Sequence, residues 1–214
     1  MSESIVFGAR GFLGASIARA LRREGGEIVT FSRRSQAYSK ELLENSVRSV
    51  VFAQGENFSS GISGSAQLTR LSFESNVLFI LERISELVES ESLASDASIV
   101  VLSSVWQVRS RPNKVPYVIS KSSISGLVPS LSAELGSSRR INAVLPGVIE
   151  SPMSRKNLPE ATIRRIESET PGGRLISVEE LTKVVLFLLG SGSSGINGQS
   201  FVVDGGWSAN VWID

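Results

Sequence analysis

The sequence predicts an α/β fold: a doubly wound parallel sheet of six strands with helices on both faces. Three observations carry this. Short apolar runs alternate with helix-length amphipathic segments along the whole chain. Those runs are apolar throughout, the pattern of strands buried on both sides. A glycine turn, "GARGFLG", joins the first run to the first helical segment.

The elements follow in order. "SIVFGA" (4–9) is a strand ending in glycine, and Leu13, Ile17 and Leu21 mark a helix that Gly25 and Gly26 stop. "EIVTFS" (27–32) is a second strand, "SKELLENS" (39–46) a helix of about two turns, and "RSVVFAQG" (48–55) a third strand. After a Gly/Ser loop, one long helix is expected over 68–91, with Phe73, Val77, Ile80, Leu81, Ile84 and Val88 along one side. A strand follows over 98–104, a helix over 116–135 and a strand over 140–147. The segment 150–173 reads as polar and irregular, with one short helix over 161–168. Ser177 and Glu180 form a capping box for a helix reaching Leu189, and "QSFVVDGG" (199–206) is the last strand.

The segment 33–48 has no β-branched or aromatic run, so no further strand is expected there. The predicted spatial order is therefore 2-1-3-4-5-6, with "EIVTFS" at an edge. No linker or repeat appears, and residues 1–214 are read as a single catalytic domain.

Composition narrows the function. The net charge of +1 gives no field for nucleic acid, an anionic membrane or a polyanionic partner. The absence of cysteine and histidine removes disulfides, thiolate nucleophiles, Cys/His metal sites and Ser-His-Asp triads. Proton chemistry must come from Asp, Glu, Lys, Tyr or Ser, and no tight carboxylate cluster suggests a metal. The chain enters an apolar strand at Ile5 without a basic start, and "VVLFLL" is too short to span a bilayer, so a cytoplasmic protein is expected.

Gly8, Gly11 and Gly14 stand at the first strand–helix junction, where a dinucleotide pyrophosphate can approach the backbone and rest on a helix N-terminus. Tight packing alone also calls for glycine at such turns. "FSRR" ends the second strand. Ser32, Arg33 and Arg34 would face the adenosine ribose, where arginine suits a 2′-phosphate; with Arg10 at the mouth the reading is NADPH over NADH. Solvated loop arginines are the plainer account.

Tyr117 and Lys121 lie four apart, on one face of a helix. An ammonium near a phenol favours phenolate and lowers the phenol pKa from its usual value near ~10. Such an acid can protonate a carbonyl as hydride arrives. Ser104, at the end of the preceding strand, can point at the same carbonyl.

With these residues in place, the chain resembles the short-chain dehydrogenase/reductase family nearly end to end. Ser104 stands thirteen residues before Tyr117, as the family serine does, and Tyr117 to Lys121 is its Tyr-x-x-x-Lys. Asn76 in "FESNVLFIL" matches its mid-chain asparagine. "NAVLPGVIESPM" matches its Pro-Gly strand end, and "GQSFVVDGG" its closing motif.

The resemblance implies a Rossmann-like fold and carbonyl–alcohol oxidoreduction. Tyr117 would be the acid/base. Lys121 would lower its pKa and hold the nicotinamide ribose. Ser104 would orient the carbonyl, and Asn76 would hold a relay water. Phe12 and Leu13 complete the glycine turn, and Ala53, Gln54 and Gly55 the cofactor side of the third strand. Pro146, Gly147, Ile149 and Ser151 would line the nicotinamide, Ser151 replacing a threonine. It also implies a small-molecule carbonyl or alcohol substrate and a homodimer or homotetramer through the two long helices, with Val118 and Leu127 as outer apolar positions.

The chain departs from the family in three ways. Its glycine spacing is that of the extended members. The family's Asn-Asn-Ala-Gly reads "FAQG", so Ala53 replaces an asparagine and Gln54 an alanine. The sixteen residues 33–48 cannot hold both the family's edge strand and its extra helix. A nucleotide-binding regulatory or scaffold protein on the same fold is the rival reading. An epimerase or dehydratase passing through a transient ketone is a lesser one.

Overall fold

A computed structural model of the chain describes residues 3–31 and 46–209. The expected helix over 39–46, and Ser32, Arg33 and Arg34, lie outside the described residues.

Six strands form one parallel sheet: β1 (Glu3–Phe7), β2 (Glu27–Phe31), β3 (Val47–Phe52), β4 (Leu93–Leu102), β5 (Arg140–Pro146) and β6 (Ser200–Val203), in the order β2-β1-β3-β4-β5-β6. This is the predicted order, with β2 at one edge of the described sheet. It is a Rossmann-like doubly wound fold. Consecutive strand residues serve opposite faces. Ile5 and Phe7, Val50 and Phe52, Ile99 and Val101, and Ile141, Ala143 and Leu145 enter one core; Val6, Val51, Val100, Leu102 and Val144 enter the other.

The second core lies under α1 (Phe12–Arg23) and α8 (Val178–Leu189), through Ile17, Ala18 and Leu21 and through Leu181, Val185 and Leu188. The Ser177–Glu180 capping box is formed, and Arg174 also grips Glu180 at 2.8 Å. At the other end of α8, buried Arg140 donates to the carbonyls of Leu188, Gly190 and Ser193 at 3.0 Å, satisfying acceptors that the helix end leaves open.

The first core lies under the mid-chain helices. The long helix expected over 68–91 is α2 (Ser65–Phe73), a π turn (Glu74–Leu78) and α3 (Phe79–Glu89) in direct succession. The wider turn rotates the face that follows it. The inward stripe is Val77, Ile80, Ile84 and Leu87, while Leu81 and Val88, expected beside them, are exposed. The helix expected over 116–135 is α4 (Val115–Ser122) and α5 (Ile124–Glu134), broken at Ser123. Pro129, inside α5, cannot donate to the helix ladder. Leu127 packs against the core, which corrects its reading as an outer position.

Two further strand and loop expectations change. β4 starts at Leu93, five residues early. The segment 150–173 holds the expected short helix as α7 (Glu160–Glu169) and, before it, a second one, α6 (Pro152–Asn157). Ile163 and Ile166 of α7 form a small third core with Leu175, against which Leu158 and Trp207 pack. No described helix is long and apolar enough to cross a membrane.

Candidate active site

The chain places β2 on one side of β1 and then crosses to β3 on the other. Such a reversal opens a crevice at the carboxyl ends of the two inner strands. Gly8 follows β1 with φ +82°, a left-handed value that favours glycine. A Cβ on Gly8 would lie 2.6 Å from the Gln54 nitrogen, and one on Gly14 only 2.3 Å from the Gly8 oxygen. The turn is thus pressed against the end of β3 and its own helix. Gly11 opens α1 without a side-chain cap, and the first turn carries no acid. Its N–H groups form an uncapped positive pole. Arg10, Gly11 and Phe12 are exposed there, while Leu13 packs inward.

Ser104 ends the run after β4, and its Oγ accepts from the Trp106 nitrogen at 3.3 Å. Tyr117 sits in the first turn of α4, where Pro116 pre-sets the helix start. Burial pushes the Tyr117 pKa up, and the Ser104 hydroxyl acts on it in the opposite, smaller sense. Lys121 is 3% exposed and lies 5.9 Å from the Tyr117 ring centre. Its Nζ donates to the Leu102 oxygen at 2.9 Å. Burial without a carboxylate partner pulls its pKa down from 10.5 to about 8.

The phenol pKa therefore lies above its ordinary value, where the sequence reading expected it below. Burial is the larger influence on the phenol, and the Lys121 ammonium is engaged by the Leu102 carbonyl. Asn76 lies in the π turn, fully buried. Its Nδ2 donates to the Glu56 oxygen at 3.0 Å and to Ser120 Oγ at 2.9 Å, and its Oδ1 accepts from the Glu56 nitrogen at 2.8 Å. It ties the strand-β3 loop to α4. A side chain on Gly55 would meet Asn76 Oδ1 at 3.1 Å and Lys121 Nζ at 3.5 Å.

On the other side of the crevice, Pro146 closes β5 and Gly147 lies so close to Asp204 that a Cβ would meet its Cβ at 2.5 Å. Ile149 pairs with Ile176 in a parallel bridge, and its oxygen accepts from Ser154 Oγ at 2.7 Å. Ser151 caps α6, its Oγ accepting from the Ser154 nitrogen at 3.0 Å.

The profile of a family described as enoyl-(acyl carrier protein) reductase matches residues 62–208, and that of the NAD dependent epimerase/dehydratase family residues 4–80. The 3-oxoacyl-(acyl-carrier-protein) reductase of Chlamydia trachomatis is 30% identical over 224 residues, covering 94% of this chain and 85% of that protein. The chain belongs to the short-chain dehydrogenase/reductase family. The ligand-free aldohexose dehydrogenase of Thermoplasma acidophilum superposes with a TM-score of 0.89 at 25% identity, covering 100% of this chain and 96% of that one. A short-chain dehydrogenase family protein of Francisella tularensis gives 0.84 at 19% identity, covering 98% and 100%. As a short-chain dehydrogenase/reductase, the chain is an enzyme of carbonyl–alcohol oxidoreduction.

The residues present fit the nicotinamide dinucleotide that such an enzyme uses. The glycine cradle leaves no side chain between strand, helix and ligand, and the α1 pole is free for a pyrophosphate. Gln54 brings a buried carboxamide with no partner on either polar atom among the described residues. Within this short-chain dehydrogenase/reductase site, sequence reading missed Ser120, Leu102, Trp106 and Lys114. Lys114 stands three residues before Tyr117, and that spacing is a usable signal: its Nζ lies 5.9 Å from the tyrosine ring. Leu102 and Ser120 act through fold contacts and have no such signal.

Proposed function

We propose that this chain is an NADPH-dependent carbonyl reductase or alcohol dehydrogenase with Tyr117 as its acid and base. The observation that carries this reading is buried Lys121, its Nζ 5.9 Å from the Tyr117 ring centre, with Ser104 among the groups that act on the phenol. Ser104 and Tyr117 present two hydroxyls to one carbonyl oxygen. The upward pKa of Tyr117 means that the phenol holds its proton at neutral pH, the protonation state that carbonyl reduction requires of the donor. Lys121 supplies a positive charge that stabilises the phenolate once that proton has left. Asn76 and Ser120 fix the loop and helix between which Lys121 lies.

When bound, a reduced nicotinamide supplies the hydride. Gly8, Arg10, Gly11, Phe12, Leu13 and Gly14 would hold its pyrophosphate, with Ser32 and Arg33 toward the ribose phosphate. Ala53, Gln54 and Gly55 would line its path, and Pro146, Gly147, Ile149 and Ser151 would face the nicotinamide. Titrating NADPH and NADH against the protein tests the preference; equal affinity removes Arg10 and Arg33 from the role.

Tyr117→Phe is expected to lower turnover by roughly 10²–10⁴-fold with cofactor affinity kept. A variant that keeps most of the rate removes Tyr117 from the acid role. The rival reading, a nucleotide-binding regulatory or scaffold protein, draws on the unpartnered Gln54 carboxamide. Tight cofactor binding with no turnover across a carbonyl panel would favour it. The reading includes one catalytic domain, a cytoplasmic location and a homo-oligomer joined through α3, α4 and α5, where Leu81, Val88 and Ile119 are exposed. Sedimentation as a monomer at micromolar concentration would remove the oligomer.

A further inference from the structure

Between Asp96 and Glu134 the chain carries no acidic residue but four cations, Arg109, Arg111, Lys114 and Lys121. Three are engaged. Lys121 donates to Leu102, Arg109 to the Ser208 carbonyl, and Lys114 to Asn57 Oδ1 at 2.7 Å and Ser59 Oγ at 2.6 Å. Arg111 is exposed and, among the described residues, has neither a hydrogen bond nor a carboxylate partner. Its guanidinium lies over the Trp106 ring, 5.7 Å from the centroid.

Trp106 is itself fixed. Its nitrogen donates to Ser104 Oγ, and its ring meets Trp207 edge-on at 6.0 Å. Carboxylates around this corner are taken: Glu169 by Trp207 Nε1 at 2.8 Å and Arg165 at 3.0 Å, and Asp204 by the Gly206 and Ser208 nitrogens. Arg111 also acts on Lys114, whose pKa falls through burial first and the neighbouring guanidinium second. Two like charges with no carboxylate between them among the described residues, beside Ser104 and Tyr117, favour an anion at the site mouth. A guanidinium lying over an indole keeps a planar fork of donors that suits a carboxylate or phosphate.

We propose that Arg111, supported by Trp106, binds the anionic end of an oxo acid whose ketone oxygen lies between Ser104 and Tyr117. This rests on the redox reading above. Initial rates test it, using 3-oxobutanoate, 4-oxopentanoate and 5-oxohexanoate, each beside its methyl ester, with whichever nicotinamide cofactor binds more tightly. The wild-type kcat/KM ratio of acid to ester is expected to be about tenfold for the best-spaced probe, the scale of one charge-assisted contact. Arg111→Met brings that ratio to about one, chiefly through KM, and Arg111→Lys restores part of it. An equal ratio in wild type and Arg111→Met overturns the proposal. So does a preference for the neutral N-acetylcysteamine thioester of 3-oxobutanoate over all three acids. If no probe turns over, binding decides. Quenching of tryptophan fluorescence by pentanoate and not by pentan-1-ol, abolished in Arg111→Met, upholds the anion site while sinking the redox reading. Quenching that is absent, or unchanged by the substitution, overturns the anion site.

Discussion

Replacing Lys121 by methionine separates the charge from the bulk of this side chain. Lys121 is 3% exposed, and its pKa falls from 10.5 to about 8 through burial. Such a fall corresponds to a penalty of about 3 kcal/mol at neutral pH, where folding buries an ammonium. The hydrogen bond to the Leu102 oxygen works in the opposite direction, by about 1.5–3 kcal/mol for a charged donor. The absolute stability difference is therefore small, and the pH dependence is the informative quantity. The folded-state pKa lies below the unfolded one, so the unfolded chain binds more protons between the two values and stability rises with pH there. Below about pH 8 both states carry the charge, and the full penalty applies. In ligand-free urea unfolding at constant m, the wild type is expected to gain about 2 kcal/mol on Lys121→Met between pH 7 and pH 9.5. Parallel stability curves for the two proteins would refute the reasoning, because they would mean that Lys121 keeps its ordinary pKa. Turnover by the variant should be lost at every pH in this range.

The glycines divide by what surrounds them. Gly14→Ala drives a Cβ to within 2.3 Å of the Gly8 oxygen and should weaken cofactor binding by about tenfold or more in a fluorescence titration. Gly126→Ala, inside α5 with nothing within 4 Å of the new Cβ, should raise stability by about 0.5–1 kcal/mol in urea unfolding. Arg140→Met leaves the carbonyls at the end of α8 without their guanidinium and should cost about 2–4 kcal/mol, read as a lower urea midpoint at unchanged m. A loss below 1 kcal/mol would mean that water replaces the guanidinium there.

Element type and order were legible in the sequence because their causes are local. Strands buried on both faces read as apolar runs, and α8 announces its start through Ser177 and Glu180. The sheet order followed from chain length, since 33–48 had no strand pattern to place outside β2. Helix α7 lies where the short helix was expected, over 161–168, while α6 was missed because it buries no residue and so shows no apolar stripe. What holds α7 is Ile163 and Ile166 with Leu175, covered by Trp207, which no local window contains.

The same division runs through the site. Gly8, Gly11 and Gly14 are written along one turn, and Tyr117 and Lys121 along one helix, so the sequence by itself determined that these residues are neighbours. Tertiary structure decided what state they are in. Ser120 lies 44 positions from Asn76 in sequence and bonds it only because α4 packs against the π turn. Lys121 meets the Leu102 carbonyl only because β4 ends beneath α4. Proton affinity depends on how much water surrounds a group and which dipoles face it, and stacking of distant elements sets both. The sequence could therefore pair the tyrosine with the lysine, while only the packed fold could turn the tyrosine pKa upward and the lysine pKa down to about 8.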